Sequence, residues 1–93
     1  MKPYLSIILP SFNEAKNIKR GVLEEVYQFL QNYEKPWELI LTDDGSSDGT
    51  VLALQAFRAK DERIKVLINQ HKGKGPTVKA GMLEAQGAWR LFS

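Results

Sequence analysis

The sequence predicts an α/β domain with a mostly parallel sheet of four strands. Strand-sized apolar runs alternate with stretches of helical periodicity, and Leu5-Ser-Ile-Ile-Leu9 is nearly continuous, as in a strand covered on both faces. With 93 residues, 43% of them hydrophobic and 26% charged, residues 1–93 make one domain with a modest core, and a second domain does not fit.

The first strand runs from Tyr4 to Leu9 and is stopped by Pro10. Ser11-Phe12-Asn13-Glu14 opens a helix reaching about Asn32, with Ile18, Val22, Val26, Phe29 and Leu30 on one stripe. Lys35-Pro36 separates it from a second strand, Trp37 to Thr42, completing a βαβ unit. The acidic loop Asp43-Asp44-Gly45-Ser46-Ser47-Asp48-Gly49 follows, and Thr50 to Ala59 carries Val51, Leu54 and Phe57 on one side of a second helix. Ile64 to Asn69 is a third strand, and Gln70 to Gly75 a polar loop. Pro76 suits a first helical position, Val78, Met82 and Leu83 supply a stripe, Gly87 ends the helix, and Ala88 to Phe92 starts a fourth strand. Right-handed crossovers put every β-to-α loop on one edge, so loops 10–14, 43–49 and 70–76 converge.

The chain has no cysteine, which excludes disulfides and thiolate metal sites and fits a reducing compartment. Its apolar runs fall far short of the roughly 20 residues a membrane-spanning helix needs, and Met1-Lys2-Pro3 leads into a strand, not a signal peptide. A cytoplasmic location is expected. The net charge is +2, with Lys60, Arg63, Lys65, Lys72, Lys74 and Lys79 concentrated in the third quarter. These make a solvated face rather than a nucleic-acid surface; Lys72 and Lys74 alone are placed to hold an anionic ligand.

In the first loop, Ser11 and Glu14 have the spacing of a capping box, and Phe12 either joins the core or forms a wall against which a base stacks. In the second, Asp48 reads as a helix cap and Gly45 as a turn requirement. Asp43 and Asp44 are adjacent like charges that need donors, water or a cation. An aspartate there can accept from a nucleobase imide N–H or a ribose hydroxyl, and a pair can hold a metal; the first role is favoured for at least one. In the third, Gly73-Lys74-Gly75 ahead of a helix offers backbone amides, a positive helix end and a lysine to phosphate, although the spacing fits neither Walker A nor G-x-G-x-x-G. His71, the only histidine, reads as a solvated loop residue.

Three motifs in order, SIILPSFNE (6–14), ELILTDDGSSDGT (38–50) and GKGPTVKAGMLEAQG (73–87), closely resemble the amino-terminal half of the family 2 glycosyltransferases. The third looks most like the branch acting on polyprenyl or dolichyl phosphate. The resemblance implies the Rossmann-like, three-layer nucleotide-binding half of a GT-A fold. It further implies transfer of a hexose, with inversion, from a nucleotide diphosphate donor, and a divalent metal, Mg²⁺ or Mn²⁺, on an Asp-x-Asp motif. Carried over by position, Pro10, Phe12 and Glu14 line the nucleotide site, with Phe12 replacing a more usual tyrosine. Asp44, with Asp43 beside it, meets the base or ribose, and Lys74 lies near the phosphates. A UDP-sugar is favoured over a GDP-sugar by the third motif alone, and the acceptor would be a lipid phosphate, at the cytosolic face of a membrane.

In that family the fourth strand runs into Asp-x-Asp, which would begin at Ser93, so the metal ligands, acceptor site and catalytic residues are expected outside these 93 residues. The chain is then an incomplete domain, inactive in transfer alone, with an exposed sheet edge prone to self-association. The alternatives are a non-catalytic nucleotide-binding or interaction module using the same loops and, well behind, a flavodoxin-like signalling domain.

Overall fold

The computed structural model describes residues 2–92; Met1, and Ser93 where the metal motif is expected, lie outside the described residues. Strands β1 (Leu5–Ser11), β2 (Trp37–Asp43), β3 (Ile64–Ile68) and β4 (Trp89–Phe92) form one sheet in the order β3-β2-β1-β4. All three pairings are parallel. Helices α1 (Ala15–Lys19), α2 (Val22–Gln31) and α3 (Thr50–Arg58) cover one face, and α4 (Lys74–Glu84) covers the other. The result is the expected three-layer α/β architecture.

Strand alternation divides the core between the two faces. Leu5, Trp37, Leu39, Leu41 and Ile64 meet Leu23 and Leu30 of α2 and Leu54 and Phe57 of α3. Ile8 and Ile40 point the other way, toward Ala85 and Met82. The α4 layer sits close because Gly81 opposes Ile8 and Thr42: a Cβ there would lie 2.5 Å from Ile8 Cγ2.

Several details depart from the sequence expectation. The long first helix is two, because Gly21 adopts a left-handed φ of 96° between α1 and α2. Leu23 rather than Val22 or Phe29 then anchors the layer; both of those are exposed. Pro10 does not stop β1, which continues through Ser11. The Ser11 carbonyl accepts the Asp44 amide on the β2 side, so the missing N–H of Pro10 faces the β4 side, where pairing has ended at Ile8 with Phe92. Helix α4 begins at Lys74, two residues before Pro76, and leaves Leu83 exposed while Thr77, Gly81 and Ala85 face the sheet.

At the amino ends of the strands a buried carboxylate fixes how β4 returns. Glu38 accepts from Ser6 Oγ (2.6 Å), the Gln86 amide (2.6 Å) and Lys65 Nζ (2.9 Å), and Ser6 Oγ also accepts the Gly87 amide. Burial pushes the Glu38 carboxyl up, but the Gln86 amide, Ser6 and Lys65 together bring it below its ordinary value. Gly87 therefore does not end the helix, which stops at Glu84; it presses its backbone onto β1.

Two consequences are measurable. Gly87→Ala would set a methyl 2.7 Å from the Ser6 nitrogen and 2.9 Å from the Leu5 carbonyl carbon, backbone atoms that cannot swing aside. It should cost about 1–3 kcal/mol in denaturant titration, and an unchanged midpoint would refute the tight approach. Second, Trp89, Leu91 and Phe92 are exposed on edge strand β4. Light scattering of the 93-residue chain should show concentration-dependent association, and a monomer at high concentration would contradict it.

Candidate functional site

Loops 1 (12–14), 2 (44–49) and 3 (69–73) meet at the carboxyl edge of the sheet, and the pair Asp43-Asp44 holds them together. Asp43 is fully buried. Its Oδ1 accepts from Ser11 Oγ (2.8 Å) and Ser46 Oγ (2.7 Å), and its Oδ2 from the Ser46 amide (2.7 Å). The buried Asp44 turns to loop 3 instead. Its Oδ1 accepts the Lys72 amide (2.8 Å), its Oδ2 lies 2.8 Å from His71 Nδ1, and the Gly73 amide reaches both oxygens. The like-charged neighbours thus coexist by dividing the donors of two loops between them.

Loop 1 is latched to loop 2 through Asn13 and Thr50, to which the sequence assigned no such role, and through Asp48. Asn13 takes a left-handed φ of 53°, donates its amide to Ser46 Oγ and accepts the Ser47 amide on Oδ1, both at 2.9 Å. Thr50 Oγ1 accepts the Glu14 amide, and Asp48 accepts the amides of Thr50 and Ala15 as well as the Thr50 hydroxyl. Asp48 therefore caps as expected, but across two helices, and from one residue before the N-cap position of α3, which is Gly49. No capping box forms: Ser11 lies in β1 and bonds Asp43, while Glu14 accepts from Asn17 Nδ2. An asparagine in Ser-Phe-Asn-Glu was the available signal, since asparagine tolerates positive φ better than most residues.

Loops 2 and 3 approach backbone to backbone. Gly45 has a φ of 75°, and a Cβ there would fall 2.9 Å from the His71 nitrogen and 3.1 Å from the Asn69 oxygen. The turn requirement expected at Gly45 is real and doubled by close packing. His71 is a solvated loop residue, as read, but an engaged one: besides its contact with Asp44 it stacks on Phe12, with ring centroids 4.3 Å apart and planes 13° from parallel. Phe12, 41% exposed, is wall rather than core.

These groups line a cleft of about 450 Å³ bounded by Pro10, Ser11, Phe12, Glu14, Asp44, His71, Gly73, Lys74 and Thr77. Pro10, Phe12, Glu14, Asp44 and Lys74 are thus brought together; Asp43 lies behind them, bonded to Ser11 and Ser46. The loop-3 amides are not all free for phosphate, because Lys72 and Gly73 give theirs to Asp44. The positive start of α4 retains Lys74, whose exposed side chain borders the cleft.

The Lys72 amide does most to hold the Asp44 carboxyl below its ordinary value; burial opposes it, and Thr77, His71 and the Gly73 amide add to the lowering. The Thr77 hydroxyl pulls this way without closing a hydrogen bond, and is the one buried side-chain polar atom without a partner among the described residues. No three His, Cys, Asp or Glu side chains gather for a metal among those residues, and Asp43 and Asp44 are turned to N–H and O–H donors. The pair does not suit a divalent cation. No helix among the described residues is long and apolar enough to cross a membrane.

The profile of Glycosyl transferase family 2 matches residues 6–93. The dolichyl-phosphate beta-glucosyltransferase of Saccharomyces cerevisiae is 29% identical over 97% of this chain and 29% of its own length. The GalNAc(5)-diNAcBac-PP-undecaprenol beta-1,3-glucosyltransferase of Campylobacter jejuni is 36% identical over 97% of this chain and 28% of its own. This chain therefore spans less than a third of either relative. Among solved structures, the mannosyltransferase PcManGT of Pyrobaculum calidifontis, in complex with GDP-Man and Mn²⁺, superposes with a TM-score of 0.72 at 22% identity, covering 91% of this chain and 25% of that one. That likeness is one of fold.

The Asp44 cradle has a pH signature. Its folded carboxyl titrates below the unfolded value of about 3.9, so its contribution to stability is complete above that pH and lost as pH falls through the folded value. Asp44→Asn should lower the urea midpoint at pH 7, by setting an amide against N–H donors, and the gap to the parent should narrow as pH drops toward 3. A gap that does not change with pH would refute the charged cradle.

Proposed function

The chain belongs to glycosyl transferase family 2, and from that premise we propose that its loop-edge cleft binds the nucleotide part of a nucleotide-diphospho-sugar donor. The observation that carries this is the convergence of an aromatic wall, Phe12, a carboxylate, Asp44, and a cation at a helix start, Lys74, around one cleft at the carboxyl edge of a parallel sheet. Each part of a nucleotide finds its complement: Phe12 stacks the base beside Pro10, Asp44 accepts a base N–H or ribose hydroxyl with Asp43 bracing its loop, Glu14 closes the wall, and Lys74 attracts the diphosphate.

A protein containing this chain would transfer a hexose, with inversion, to a polyprenyl or dolichyl phosphate at the cytosolic face of a membrane. The names of the yeast and Campylobacter relatives support the lipid-linked chemistry. Mn²⁺ or Mg²⁺ would act through ligands other than the residues described, which supply no set for it; the Mn²⁺ bound by PcManGT supports a cation in the intact site. Uridine and guanosine both offer a ring N–H to a carboxylate, and uridine is preferred on the third motif alone.

Calorimetric titration with UDP-glucose and GDP-mannose, each with and without Mn²⁺ or Mg²⁺, tests the assignment; absence of binding by both would overturn it. Base stacking on an aromatic side chain is worth about 1–3 kcal/mol, an upper bound here because the His71 ring occupies the same face beforehand, so Phe12→Ala should weaken binding by less than the roughly 5- to 150-fold of a full stack. Lys74→Ala should weaken UDP but leave uridine unchanged, and should flatten the salt dependence. Equal losses for UDP and uridine would remove Lys74 from the phosphate role.

A further inference from the structure

The imidazole of His71 already makes both contacts that the cleft offers a nucleobase. It is a flat heteroaromatic ring, stacked at 4.3 Å and 13° on Phe12, with one ring nitrogen 2.8 Å from Asp44 Oδ2. A uracil or guanine ring placed on Phe12 with its N–H toward Asp44 would need the same face and the same oxygen. Given the nucleotide cleft proposed above, on which this inference rests, we propose that His71 is an internal stand-in for the base, which an incoming nucleobase must displace.

The surrounding geometry permits the exchange at little structural cost. The His71 side chain is 61% exposed, so rotation about its Cα–Cβ bond carries the ring into solvent. Loop 3 need not open with it, because the amides of Lys72 and Gly73 continue to hold Asp44. The close packing of Gly45 against the His71 nitrogen and the Asn69 oxygen keeps the backbone of this segment in place. After displacement, the base takes over the Phe12 face and the hydrogen bond at Asp44 Oδ2. Without a ligand the same ring covers one face of Phe12 and satisfies the carboxylate. His71 thereby sets the threshold a ligand must exceed: a ring that stacks but brings no N–H leaves Asp44 Oδ2 one donor poorer than His71 did. A ring N–H is thus favoured through competition as well as through direct contact.

His71 is the only histidine of the 93 residues, so its imidazole carbon-bound protons give a single assignable pair of NMR signals. In the free chain the Phe12 ring current should shift them, and Phe12→Leu should abolish that shift. On saturation with UDP or GDP the signals should move to the positions of a free, solvated histidine. His71→Ala should bind the same nucleotide about tenfold more tightly, since stack and hydrogen bond no longer have to be broken. Histidine signals that stay shifted at saturation, or a His71→Ala variant that binds as the parent does or more weakly, would overturn the inference while leaving the nucleotide site intact. No nucleotide binding by either protein would overturn both.

Discussion

Asp43 and Asp44 sit side by side in sequence, yet their carboxylates have no hydrogen-bond partner in common. Asp43 ties the end of β1, through Ser11, to the turn at Ser46, and Asp44 gathers His71, Lys72 and Gly73 from loop 3. Because each is buried, each needs its donors, and because the donors belong to different loops, satisfying both charges fixes both loops. Further ties extend the arrangement to loop 1 and α1. Asn13 can reach Ser46 and Ser47 only while Asp43 holds the turn, and α1 can start at Ala15 only while Thr50 and Asp48 receive the amides of Glu14 and Ala15.

The opposite end of the sheet obeys the same rule. Glu38 lies near the amino end of β2 and draws in Ser6, Lys65 and the Gln86 amide. The segment after α4 is thereby pinned where Gly87 can lie on β1, and β4 pairs with Leu5 through Ile8. One strand thus carries a buried acid near its start and another at its end, with a third, Asp44, just past it and an apolar stretch, Leu39-Ile40-Leu41, between. Removing one partner from a buried charge costs more than a typical surface ion pair contributes, so these acids constrain the fold more than the exposed pair of Lys60 and Glu24 does.

What the sequence made legible was whatever depends on period and punctuation. The four strands, the convergence of three loops and the acidic loop at its centre follow from apolar runs and turn formers, and the structure has them. The break at Gly21 was hidden because the apolar period of α2 runs on past α1, and the glycine can only be told from a tolerated one by its φ. Pro10 misled because a missing N–H is harmful only on a paired side, and the side depends on where β4 ends. Within the cleft, Phe12, Asp44 and Lys74 were legible as residue types in loops, whereas the engagement of His71 was not. Its partners lie 27 residues away at Asp44 and far back in loop 1 at Phe12, a distance over which no local pattern speaks.

The internal pairing of the cleft also governs how a ligand would gain affinity there. A base meeting bare Phe12 and an unpartnered Asp44 would be credited with a full stack and a full hydrogen bond, but here both are already made by His71. Only the difference between the two sets of interactions favours binding, together with whatever solvation the freed imidazole regains. The Lys74 ammonium stands in another position: it is exposed, at the start of α4, and among the described residues it has no ion-pair partner. It can attract a diphosphate without first breaking an ion pair within the protein. For a nucleotide bound as proposed, the phosphates would then supply most of the net affinity, while the base, exchanging like for like with His71, would decide which nucleotide remains.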